Sequence, residues 1–167
     1  MDYWGLNSVS TTNAYPLPLI KDLLMEVAKE KFFTKLDLWD AYFQVCIREG
    51  DEYKTAFNTP LGQFKYLVMP FGLQGAPGVF MNLINEVLHQ HLFNGALVYL
   101  DNILLHSQDM DSHVTLVREV LETLYEHKLF AKLSKCEFQK EEADFLGYCI
   151  SQRGLEMDPH KVADVMG

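Results

Sequence analysis

The twelve residues "ALVYLDNILLHS" (96–107) decide how the rest of this chain is read. Two apolar runs flank the pair Asp101-Asn102, the pattern of a β-hairpin. Asp and Asn suit such turns because both tolerate positive φ. The same pair suits half of a metal-binding carboxylate site, which needs a partner elsewhere in the chain. Both readings stand on these residues alone.

The best partner is Asp37, in "FTKLDLWDAYFQV" (33–45). It ends a strand-like apolar run, where a side chain can leave a sheet edge toward a cleft. A carboxylate is an unusual choice among residues destined for burial. It could equally cap the turn and helix that follow. Two carboxylates converging from separate strands are what two-metal phosphoryl transfer requires. Divalent ions about 4 Å apart repel, and shared anionic ligands hold them together. One ion lowers the pKa of an attacking hydroxyl while the other steadies a leaving pyrophosphate.

Working outward, "NAYPLPLIKDLLMEVAKEK" (13–31) opens with a Pro-rich extended piece. It continues as an amphipathic helix with Ile20, Leu23, Leu24 and Val27 on one face. Residues 31–47 read as a buried strand, a break near Asp37, then irregular structure. In 49–72, turn signals at Glu49-Gly50-Asp51 and Pro60-Leu61-Gly62 flank short strands of an antiparallel ribbon. Pro77 suits a first helical turn, and Phe80, Leu83, Ile84, Val87 and Leu88 form a stripe running to about residue 92. The clearest helix is 109–128, with Val114, Val117, Val120, Leu121 and Leu124 on one face. Its leading acids and closing His127-Lys128 match the helix dipole. Two strands around Arg153-Gly154 follow, then a helix start at Asp158-Pro159. The expectation is one α+β domain over residues 1–167, with helices packed on one face of an antiparallel sheet.

The 167 residues, 49% hydrophobic and 13% aromatic, are enough for a packed core. No apolar run approaches the roughly 20 residues that span a bilayer, so no membrane is expected. "MDYWGLNSVS" lacks the features of a signal peptide. Cys46, Cys136 and Cys149 read as reduced interior thiols, which points to a cytoplasmic or nuclear chain. The net charge of −9 argues against a generic polyanion binder. No Lys or Arg occurs between Lys65 and Arg118, while Glu86, Asp101, Asp109 and Asp111 fall in that gap. Metal ions neutralising carboxylates would still allow a nucleic-acid partner.

Several blocks then occur in one order: "DYWGLN", "YPLPLI", "FFTKLDLWDAYFQV", "GDEYKTAFNTPLGQFKYLVMPFGLQGAP", "VYLDNILLHS", "HKLFAKLSKCEF" and "FLGYCIS". Together they resemble the reverse transcriptase domain of gypsy-type long-terminal-repeat retrotransposons, and more distantly the retroviral enzymes. The resemblance implies a polymerase palm with partial fingers that extends a primer on an RNA or DNA template from dNTPs. It implies two Mg²⁺ ions, or Mn²⁺ in their place. By the same resemblance Asp37, Asp101 and Asn102 take the catalytic positions, and Asp37 and Asp101 ligate metal with the Leu38 carbonyl as a further ligand. Asp40 and Ala41 would offer backbone N–H groups to the triphosphate, and Tyr42 would exclude a ribose 2′-hydroxyl. Phe71 would lie by the nucleotide sugar, and Leu146-Gly147 would form the primer grip. Without the resemblance, Tyr42 and Phe71 read as core aromatics and Gly147 as a strand glycine beside a bend.

Asn102 departs from the family pattern, which has a second hairpin aspartate here. Trp4-Gly5 also replace an Arg-containing pair after Asp2-Tyr3. A unit charge about 4 Å from a divalent ion contributes roughly 8 kcal/mol gross at an effective dielectric near 20. Each ~1.4 kcal/mol of that surviving in the transition state is about tenfold in rate. Impaired catalysis is therefore expected. The chain is also expected to begin within the fingers and to stop before the thumb, RNase H and integrase domains. The alternative is a non-catalytic, decayed or domesticated retroelement protein with a binding or assembly role. An unrelated α+β binding module would require every ordered block to be coincidence.

Overall fold

The computed structural model describes residues 4–9, 19–70 and 72–159. The chain divides into two compact units, one of residues 1–15 and 40–84, the other of 16–39 and 85–167.

The first unit contains α1 (Trp4–Val9), a 3₁₀ turn at Ala41–Gln44, a second at Glu52–Thr55, β2 (Phe57–Thr59) and β3 (Gly62–Phe64). It also holds the start of α3 (Ala76–Val87), which ends in the second unit. The expected ribbon is present: Phe57 pairs with Phe64 and Thr59 with Gly62. The Phe57 ring stacks on Phe64 and tilts against Tyr66. Asn7 fastens α1 to the loop before α3, donating from Nδ2 to the Gly72 carbonyl and accepting from Gln74 N–H at 2.7 Å. In α3, Phe80 and Ile84 are buried as expected, but the helix stops at Val87 and gives way to turns.

The second unit is built on a four-stranded antiparallel sheet in the order β4-β5-β1-β6. Its strands are β1 (Phe32–Asp37), β4 (Ala96–Tyr99), β5 (Asn102–Ser107) and β6 (Glu137–Lys140). Alternation assigns the faces. In β1, Phe33, Lys35 and Asp37 share one face, and register places His106, Leu104 and Asn102 of β5 beside them. Phe32, Thr34 and Leu36 take the other face, which α4 (Met110–Glu126) covers.

The first face meets α2 (Ile20–Val27) and a three-stranded sheet of β7 (Ala143–Phe145), β8 (Tyr148–Ser151) and β9 (Gly154–Met157). Leu24, Val27, Phe33, Leu97, Leu104, Phe145 and Ile150 form a buried cluster there. Each such side chain contributes roughly 1.5–3 kcal/mol on leaving water. The antiparallel α+β architecture expected from sequence is present, but α2 and α4 lie on opposite faces of the four-stranded sheet rather than on one. Strands β6 and β7 were not anticipated.

Two local expectations need correction. Val114 does not join the buried face of α4; it is 36% exposed, while His113 beside it is fully buried with Val120 and Leu124. The helix turns this way because His113 meets a hydroxyl on each side, Thr34 Oγ1 at 2.7 Å and Ser107 Oγ at 2.8 Å. Nor are the cysteines interior. Cys46 is exposed, and Cys136 and Cys149 are only half-buried, all three free thiols. Cys46 forms an isolated backbone bridge with Val68 in the irregular chain after the 3₁₀ turn. Among the described residues, no helix is long and apolar enough to cross a membrane.

Candidate active site

The 96–107 stretch is a hairpin, with Tyr99 paired to Asn102 across a two-residue loop of Leu100 and Asp101. The left-handed conformation falls on Leu100 (φ 53°), not on the Asp-Asn pair. Two-residue hairpin loops demand positive φ, normally supplied by Gly or Asn, and a leucine there costs about 1–2 kcal/mol. Such strain persists only where the surroundings impose it, and it gathers at functional sites. Here the strained residue holds Asp101 at the hairpin tip.

Strand β1 brings Asp37 to the same end of the sheet, in register with Asn102. The next residue, Leu38, is buried and donates its N–H to the Asp101 carbonyl at 2.9 Å. On the other side, the Asp37 carbonyl accepts from Lys132 N–H at 2.7 Å, and Trp39 N–H donates to the Phe130 carbonyl at 2.7 Å. The end of β1 is thus clamped between the hairpin tip and the segment after α4. Asp37 does not cap the 3₁₀ turn; that position belongs to Asp40 (φ 39°), whose side chain makes no capping bond.

The electrostatics fit two carboxylates meeting. Burial is the main cause raising the Asp37 carboxyl above its ordinary range, and the Asp101 charge raises it further. Lys135, Lys132 and Lys35 pull it back down. Two of these lysines have a fixed setting. Lys35 Nζ donates to the Asp144 carbonyl at 3.0 Å, and Lys132 Nζ lies 4.7 Å from the centre of the Trp39 ring. Asn102 Nδ2 donates to Asp101 Oδ1 at 3.2 Å, so the amide serves its neighbour as a donor.

These residues offer a cation two carboxylates, an amide oxygen on Asn102 and the Leu38 backbone carbonyl. A hard oxygen set with one or two carboxylates is what Mg²⁺ accepts when substrate phosphates complete its shell. Among the described residues, no cluster of three or more His, Cys, Asp or Glu side chains is arranged to hold a metal.

Of the other expected site residues, Leu146 and Gly147 form the two-residue loop between β7 and β8, with φ of 53° and 84°. Gly147 is therefore a turn glycine, not one within a strand, and its carbonyl accepts from Asp158 N–H. Asp40, Ala41 and Tyr42 belong to the first unit, where the Tyr42 ring meets buried Phe80 edge-on at 5.8 Å. Phe71 lies outside the described residues. The lysines and Trp39 were missed. The available signal was the basic run around "AKLSK" (131–135) in an acidic chain.

Curated relatives include the Transposon Tf2-7 and Tf2-3 polyproteins of Schizosaccharomyces pombe, 44% and 43% identical over 155 residues. The match covers 93% of this chain and only 12% of either polyprotein. Among solved structures, the foamy viral protease-reverse transcriptase bound to double-stranded DNA superposes with a TM-score of 0.89 at 21% identity. That match covers 99% of this chain and 29% of the viral one. The same viral protein with an RNA/DNA hybrid gives 0.87, over 99% and 22%. At that identity the likeness speaks for the fold. A family profile described as reverse transcriptase (RNA-dependent DNA polymerase) matches residues 1–150. With that match spanning most of its length, the chain belongs to the reverse transcriptase (RNA-dependent DNA polymerase) family.

Proposed function

We propose that this chain is the catalytic part of an RNA-directed DNA polymerase, weakened by Asn102. The first unit corresponds to partial fingers and the second to the palm. The observation that carries the reading is the meeting of Asp37 and Asp101 at one end of the sheet, where burial and the Asp101 charge raise the Asp37 carboxyl. Because the chain spans about an eighth of its curated relatives, the activity of a whole polyprotein comes to it only as part of this proposal.

Asp37, Asp101 and the Leu38 carbonyl would hold a Mg²⁺ or Mn²⁺ ion. When bound, that ion lowers the pKa of a primer 3′-hydroxyl and offsets charge on the phosphates. The chain's own residues do the rest. The clamp on β1 keeps Asp37 facing Asp101, and the strained Leu100 fixes the carboxylate at the hairpin tip. Lys132 and Lys135 bring positive charge beside the carboxylates, where polyanionic template, primer and dNTP would approach. By the family resemblance, Tyr42 would border the sugar, and Asp40 and Ala41 the triphosphate. The Leu146-Gly147 turn would steady the primer end.

The test is primer extension on an RNA template, with this chain set between the flanking segments its relatives carry. The Asn102 and Asn102→Asp versions are compared. A gain of about tenfold or more with Asp supports the polymerase reading and its charge argument. Equal activity would remove the charge argument. Asn102 is also the observation favouring a non-catalytic binding or assembly role. Absence of activity in both versions, with the fold intact, would favour that role.

A further inference from the structure

On the second unit, a groove of about 440 Å³ lies between α2, the loop before β4, and the far end of β5. Its nearest β5 residue, His106, is four positions from Asn102, roughly 13 Å along the strand. The floor is apolar, made by Leu23, Val27 and Leu97. One rim is acidic: Asp22 and Glu26 stand on the outer turns of α2, with Glu30 just beyond its end.

Three features make this surface more than a dent. Phe93, on the opposite rim, is 85% exposed and sits at φ 59°, a left-handed conformation that bulky residues avoid. The backbone holds a large apolar ring out in water at local cost, as ligand-clamping segments do. In the wall, Glu30 Oε1 meets His106 Nδ1 at 3.3 Å, while Oε2 is buried with no hydrogen-bond partner among the described residues. Burial pushes the His106 pKa down, so at neutral pH the ring gives Glu30 a hydrogen bond but little positive charge. On that rim Lys29 pairs with Glu26 at 3.0 Å across the solvent. Exposed pairs of that kind exchange readily for another cation. The groove therefore joins an apolar floor, a free aromatic face and under-compensated negative charge.

We propose that this groove docks a basic, amphipathic segment of another polypeptide. An aliphatic side chain would seat on Leu23, Val27 and Leu97, and an arginine would lie between the Phe93 ring and the Asp22 and Glu26 carboxylates. Charge complementarity selects the basic segment. Arginine fits better than lysine because its flat guanidinium stacks on a ring while pairing with carboxylates in fork geometry. The inference is independent of the polymerase reading, since none of these residues belongs to that site.

The test is fluorescence anisotropy with the intact chain and a labelled peptide of repeated Arg-Leu-Leu-Arg blocks. Control peptides carry Lys or Glu in place of Arg, or Ser in place of Leu. The Arg peptide should bind saturably, more weakly at higher salt, and more tightly than all three controls. Phe93→Gly, which suits a left-handed backbone, and Asp22→Lys with Glu26→Lys should each weaken binding about tenfold. Glu122→Lys, on exposed α4 surface, should leave it unchanged, and thermal melts should confirm that every variant folds. Equal binding by the groove variants, equal binding of the Glu peptide, or no saturable binding would overturn the proposal. So would a self-associating chain whose dimer is broken by Phe93→Gly while no peptide binds, because the occupant would then be a second copy.

Discussion

Asp37 carries a charge its surroundings resist. Its carboxyl is raised above 3.8 first by burial and then by Asp101, so the folded chain holds that proton more tightly than the unfolded chain does. Stability from this group therefore falls as pH climbs from about 3.8 through the raised value, and the penalty stays in place above it. Asp37→Asn removes it. At pH 7 the variant should melt higher, by no more than about 4 °C in a chain of this size, and the difference should vanish near pH 3. A lower melting temperature at pH 7 would mean that Lys132 and Lys135 outweigh burial. Asn102→Asp should do the reverse, lowering the melting temperature without divalent ions and tightening Mg²⁺ or Mn²⁺ binding about tenfold or more by calorimetry. Neither expectation involves catalysis, so both stand even if the chain is inactive. The Leu100 backbone belongs to the same pattern. Asp and Asn announced a turn in the sequence, but nothing in the letters showed that the leucine would take the strained angle.

Elements add what single residues cannot. Helix α4 is tied to the sheet through one imidazole. Gln139 N–H donates to Thr34 Oγ1, leaving that hydroxyl proton for His113 Nε2. Ser107 donates to the Asp109 carbonyl and so accepts from His113 Nδ1. The ring is neutral and satisfied at both nitrogens, and burial lowers its pKa, with His106 adding to the shift. His113→Ala should cost about 2–4 kcal/mol in denaturant melts, because it opens a cavity and strands two hydroxyls. Below its ordinary value of 6.5, the unfolded ring binds a proton that the folded ring refuses. Stability should therefore decline as pH falls from 6.5 toward the depressed value, and the decline should be shallower in His113→Gln. Gly95→Ala should also destabilise, since φ is 103° and a Cβ there would lie 2.7 Å from Leu116 Cδ2. Turn signals showed the β2–β3 ribbon, two apolar runs around Asp101-Asn102 showed the hairpin, and helical periodicity showed α4. Periodicity missed β6, an edge strand whose Glu137, Gln139 and Lys140 stay exposed, and β7, too short to show a period. It misplaced the α4 stripe by one residue because His113 is polar by letter and buried through partners on distant strands.

Over the whole molecule, the question is how a chain with 23 acidic and 14 basic residues would hold a polyanion. Phosphate contacts supply most affinity for nucleic acid, and each neutralised phosphate adds about 0.9 to the salt slope on a duplex. The cations near the carboxylate pair are Lys35, Lys132 and Lys135. If all three met phosphates, the slope of log affinity against log salt would be about −3, shallow beside a typical basic binding domain. Lys132 is pre-positioned over Trp39, so its approach to a phosphate loses less side-chain freedom than that of an unheld lysine. Replacing all three with Gln should flatten the slope toward zero and weaken a primer–template duplex at every salt concentration. Replacing Lys21, on the outer surface of α2, should change little. Added Mg²⁺ should strengthen binding by the unaltered chain, because it screens Asp37 and Asp101 where the duplex would sit. In Asp37→Asn that gain should shrink. Divalent-independent binding with a steep slope would mean that the duplex sits on some other surface, and the polymerase reading would lose its nucleic-acid partner at this site.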